Sequence, residues 1–85
     1  MPVESERYTD AAFQLIVTIA QTHGCRKRVV YGIKAEYTGD TTEVIRVKDI
    51  SIHKSDVLRL ILLLNEYGVS RDHLIEIVED FIQEL

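Results

Sequence analysis

Cysteine is nearly absent from this chain. The single one, Cys25, excludes a disulfide framework within a monomer and reads as the reduced thiol of a cytosolic protein. Proline occurs once and glycine four times, too sparsely for a linker, a collagen-like repeat or a low-complexity chain. The longest apolar run, Leu60 to Leu64, covers five residues, far short of the ~20 a spanning helix needs. The start, Met1-Pro2-Val3-Glu4-Ser5-Glu6, has neither a basic nor an apolar stretch, so no signal peptide is expected. A soluble, intracellular protein is the expectation.

What is present is a globular pattern. Eighty-five residues with 46% hydrophobic side chains predict one domain near the lower size limit for an unaided core. Residues 1–12 are taken as a lead-in and 13–85 as the domain. Phe13 to Ala20 can be read two ways. Phe13, Leu15, Val17 and Ile19 alternate as in a strand, whereas Ala12, Leu15, Ile16 and Ile19 fit a helical face capped by Thr9; the β-branched run Ile16 to Ile19 favours strand. Val29 to Tyr37 alternates cleanly. Thr38-Gly39-Asp40-Thr41 predicts a tight turn in which glycine and aspartate take up positive φ. Glu43 to Ile50 is the third strand, its adjacent Val44 and Ile45 suggesting a bulge or cover on both faces. Gly32 inside the second strand marks a bulge or a close backbone approach.

A helix capped by Ser51 or Ser55 is predicted to run to about Tyr67, where Gly68 stops it. Ser70 caps the next one, its side chain accepting the His73 N–H. That second helix should bury Leu74, Ile75, Val78, Phe81, Ile82 and Leu85 as one stripe. The predicted fold is α+β: a three-stranded antiparallel meander followed by an αα-hairpin, β-β-β-α-α.

Charge is unevenly spread under a net −4. Residues 22–48 are net basic and residues 49–85 strongly acidic, a dipolar arrangement. Arg26, Lys27, Arg28, Lys34, Arg46 and Lys48 form a candidate basic patch, a possible single-strand nucleic-acid footprint. Tyr31 and Tyr37 lie on the opposite face of the strand from Lys34, and the pI is low, which argues against that use. Glu79, Asp80 and Glu84 crowd a helix C-terminus, where the macrodipole disfavours negative charge, and Glu76 repels Asp80 at i, i+4. With Leu58 and Leu62 these acidic residues form a candidate interaction surface.

No chemistry is encoded at recognisable spacing. Cys25 beside Arg26, Lys27 and Arg28 could favour a thiolate, but His23 on the same loop is a poorly placed base. His23, Cys25, His53 and His73 lack zinc-site spacing, and His73 has no nucleophile partner. No catalytic residue, metal or cofactor is expected.

Tyr31-Gly32-Ile33, Ile50-Ser51 before a helix, Val69-Ser70-Arg71-Asp72-His73-Leu74 and the ending Val78-Glu79-Asp80 together resemble a small bacterial family of unknown function. Its members carry a Tyr-Gly-Ile segment, a Val-Ser-Pro-x-His-Leu helix start and a Val-Glu-Asp-like ending. The resemblance spans roughly residues 13–85 and implies bacterial origin and a like fold, without an activity. Arg71 stands where the family has proline, removing a helix-starting preference.

The functional expectation is a non-enzymatic protein-interaction or regulatory module of a bacterial cytoplasm, acting on another protein, on itself as a homodimer, or on both. Five consecutive apolar residues sweep about 400° of a helix, so two neighbouring layers cannot hide them all. The alternatives are a nucleic-acid binder using the basic segment and a small enzyme using Cys25 or His73. Membrane association is not expected.

Overall fold

The computed structural model describes residues 8–21 and 27–85. Three strands, β1 (Tyr8–Gln21), β2 (Lys27–Gly39) and β3 (Thr42–Ser51), precede helices α1 (Lys54–Tyr67) and α2 (Leu74–Gln83), with a 3₁₀ turn at Arg71–His73. The order in the antiparallel sheet is β1-β2-β3. The β-β-β-α-α arrangement is the one predicted, and residues 13–20 are strand. β1 starts at Tyr8, earlier than Phe13, because Asp10, Ala11 and Ala12 pair with Thr38, Tyr37 and Glu36. Pairing with a formed neighbour outweighs the weak strand preference of alanine and aspartate.

Odd-numbered residues of the hairpin face the helices. Ile33, Ala35 and Tyr37 on the central strand are fully covered; Ala11, Phe13 and Leu15 on β1 and Ile45 and Val47 on β3 flank them. From above, Val57, Leu60 and Leu64 of α1 and Leu74 and Val78 of α2 close the core. The α2 stripe is rotated from the expected one. Ile77 is half-buried, while Ile75, Ile82 and Leu85 are exposed, because this short helix meets the core mainly along its Leu74–Val78–Phe81 line.

Gly32 marks both a register shift and a close approach. Tyr31 lies opposite Ser51 but Ile33 opposite Val47, so β3 carries extra residues there and bulges. A Cβ on Gly32 would collide with the Val47 carbonyl oxygen and sit 2.7 Å from the carbonyl of Lys48. The bulge therefore lies at Val47–Ser51 and not at Val44-Ile45, where Val44 simply faces solvent. By shifting the pleat it brings Ile50 into the core.

The caps differ from the expected ones. Ser51 Oγ accepts the His53 N–H at 3.0 Å and donates to Asp56 at 2.9 Å, so it braces the turn before α1, and His53 holds the cap position without a side-chain bond. At Ser70 it is the backbone carbonyl, not the hydroxyl, that accepts the His73 N–H, at 3.1 Å. Gly68 ends α1 as predicted, left-handed at φ 57°, with the Val69 N–H reaching Leu64 O at 3.3 Å. Gly39 turns the β2–β3 corner without positive φ, its N–H meeting Thr41 O at 3.0 Å.

Candidate interaction surface

The two ends of the β1–β2 hairpin are covered unequally. At the turn-to-helix end, Tyr37 is buried among core residues and donates its hydroxyl to Val69 O at 3.2 Å. Phe13 meets it edge-on, ring centres 6.0 Å apart. Burial pushes the Tyr37 phenol up to about 12, partly offset by the nearby Arg71 cation. Arg71 reaches from the 3₁₀ turn to Glu43 on β3 at 2.6 Å. Arg71 thus ties the second helix to the sheet. A cleft of about 830 Å³ beside these residues is lined by Asp10, Phe13, Asn65 and Asp72.

The far end has no such cover among the described residues. Val17 is 58% and Ile19 65% exposed on the face that carries Phe13 and Leu15, and Val29 beside them is exposed as well. On α1, Leu62 is 68% exposed and Leu58 also open. Their direction follows from their neighbours on α1. The Arg59 guanidinium stacks over Phe81 of α2 at 5.6 Å while holding Asp56 at 3.1 Å, and Leu63 shares a groove with Phe81 and Asp80. At about 100° per residue Leu58 lies about 100° and Leu62 about 60° round the helix from Arg59, so both turn away from the buried line of Val57, Leu60 and Leu64, Leu62 most of all.

The residues singled out from the sequence fall into separate places. Glu76, Glu79, Asp80 and Glu84 are exposed on α2, where Asp80 and Glu84 line a groove with Arg59 and Leu63 of α1, and Leu58 and Leu62 are exposed on α1. Lys34 and Arg46 lie directly opposite each other on the outer sheet face; Arg28 shares that face, Lys27 is exposed at the start of β2, and Lys48 is exposed in the bulge. Arg26, His23 and Cys25 lie outside the described residues. Tyr31 and Tyr37 face the helices, as their parity predicted. The His73 ring, exposed, comes within 3.4 Å of Glu76, and among the described residues no three metal-binding side chains gather. Val17 and Ile19 were not singled out, although their uncharged surroundings were readable.

A family model described as a family of unknown function, DUF6514, matches residues 3–84. The chain belongs to this family. No curated protein and no solved structure matches it. No described helix is long and apolar enough to cross a membrane.

Proposed function

We propose that the protein acts by binding: a non-enzymatic interaction module of a bacterial cytoplasm whose first partner is a second copy of itself. The observation that carries this reading is the bare apolar surface on neighbouring elements, Leu58 and Leu62 on α1 and Val17 and Ile19 on β1. Each such side chain left in water forgoes roughly 1.5–3 kcal/mol, against a net stability of about 5–15 kcal/mol for a whole domain. A symmetric dimer is the commonest remedy. The family resemblance supports the bacterial setting and the lone cysteine supports the reducing compartment. Light scattering should give about twice 9.8 kDa; a monomer mass at high micromolar concentration sinks the reading.

A second reading rests on Lys34 opposite Arg46. Like charges at such a pair repel, and an anionic ligand, such as a nucleic-acid strand, would relieve them. Against it, the tyrosines that would stack bases point into the core. Binding of single-stranded probes that weakens steeply with salt and falls on neutralising Lys34 and Arg46 would favour it. A role for Cys25 or His73 in a small enzyme is tested by thermal shift against metals and metabolites, with Cys25→Ser and His73→Ala as controls.

A further inference from the structure

We infer that two copies join along the outer edges of their β1 strands, antiparallel about a twofold axis at Ile16, to make one six-stranded sheet. This rests on the self-association reading above and adds its geometry. It is carried by a difference between the two sheet edges. β3 bears Glu43, Arg46, Lys48 and Asp49 within ten residues and is broken by its bulge; charge and bulges are the devices that keep another strand away from an edge. β1 has neither. Of its 14 residues only Asp10 is charged, and its one register irregularity lies at the Tyr8/Asp10 end. From Ala11 to Gln21 there is no charge, no proline and no glycine. Among the described residues β2 is its one strand neighbour.

Composition also sets the register. When a strand pairs antiparallel with its own copy, the numbers of facing residues have a constant sum. The uncharged run 11–21 overlaps itself completely only when its middle residue, Ile16, sits on the axis. Val17 then faces Leu15 of the second copy, Ile19 faces its Phe13, and Gln14 faces its Thr18. Leu15 and Phe13 pack beneath α1, and the pleat keeps all these odd residues on one side. The bare Val17 and Ile19 of one copy therefore come to lie against Leu15 and Phe13 of the other, beside its α1. Each copy gives the apolar side chains that the other leaves exposed on β1 a neighbour. Charge agrees with this arrangement: Asp10 of one copy arrives beside the end where Lys27 and Arg28 of the second copy border its Gln21 and Ala20. An ordinary interface removes about 800 Å² from each partner, roughly an eighth of this chain's 6036 Å². A long uncharged edge strand with two bare apolar side chains on it is what the fold offers toward that area.

The test uses full-length chain with Cys25→Ser, so that introduced thiols stand alone. Gln14→Cys and Thr18→Cys chains are mixed, allowed to exchange and treated with a short thiol–thiol crosslinker. The covalent dimer should form several-fold better in the mixture than in either chain alone, because like positions lie four residues, about 13 Å, apart along the paired strands. Ile16→Cys should crosslink to itself, and Val44→Cys on β3 should not. A dimer mass by light scattering with no crosslink at 14/18 or at 16 overturns the β1 pairing and leaves self-association standing. A monomer mass removes both.

Discussion

On the helix-facing side of the sheet one end of the hairpin is a floor beneath two helices and the other is bare, although the same kind of side chain lines both. Phe13, Ala35 and Tyr37 pack under α1 and α2, whereas Val17, Ile19 and Val29, further along the same two strands, stand in solvent. Length explains the difference. A strand rises about 3.3 Å per residue and a helix about 1.5 Å. The 14 residues of β1 thus extend ~46 Å and the 14 residues of α1 ~21 Å. Equal numbers of residues cannot cover one another. Apolar alternation shows which face of a strand can be buried, but the length of the neighbouring layer decides how much of it is.

The sharpest contrast lies within α1. Leu60→Ala should cost ~2–5 kcal/mol, the usual range for emptying a fully buried leucine site, since Leu60 has no exposed surface. Leu62→Ala, two positions along, should change stability by less than ~0.5 kcal/mol at protein concentrations low enough to keep the chain monomeric. Urea unfolding measures both. Equal costs would mean that Leu62 is covered within the monomer, and the comparison would fail.

The bare end itself is broken by charge. Ile19→Lys should leave monomer unfolding nearly unchanged but weaken dimerisation roughly a hundredfold. The substitution enters a symmetric interface twice, each time forfeiting at least ~1.5 kcal/mol of burial, and ~1.4 kcal/mol is a factor of ten. Sedimentation across a concentration series reads the shift. An unchanged dissociation constant would place the contact elsewhere.

Much of this fold was legible because it rests on local rules. Alternation from Val29 to Tyr37, Gly68 as a helix stop and Gly32 as a close approach each follow from what one residue's backbone or side chain permits. The misread details are those that depend on neighbours. Ser70 stands where a cap belongs, yet its carbonyl makes the bond. Ile75 and Ile82 have the spacing of a buried stripe, yet the core meets Ile77, because a helix's periodicity does not fix which way it is turned. The leucines of α1 were legible as too many to hide, but the exposed Val17 and Ile19 were not, since that needed the lengths of the two layers to be compared.

Tyr37 reports on the covered end. In the fold it keeps its proton until about pH 12, whereas in the unfolded chain it ionises near pH ~10. Between those values the folded state binds more protons, so stability falls as pH rises through the window and is fully present below it. The loss should be on the order of 2 kcal/mol, and Tyr37→Phe should remove this dependence. Unfolding followed across alkaline pH in both proteins checks it. An identical pH profile in the two would show that the phenol is not held under the helices.

The smallest effect expected is at the tie between Arg71 and Glu43, which draws the second helix onto β3 at the covered end. The pair is short, at 2.6 Å, but both side chains are substantially exposed, 43% and 33%, and solvent screens such pairs strongly. Arg71→Ala should therefore cost only about 0.2–1 kcal/mol. Because Arg71 also lies near Asp72 and Tyr37, the single substitution mixes several losses. A double-mutant cycle with Glu43→Gln isolates the pair. The coupling should shrink as salt is raised from ~0.01 to ~1 M, where the screening length falls from ~30 to ~3 Å. A coupling well above 1 kcal/mol that salt leaves untouched would mean the pair is shielded from water. The covered end would then reach beyond the helices to the edge of β3, and the contrast with the bare end would be larger than the exposed surface suggests.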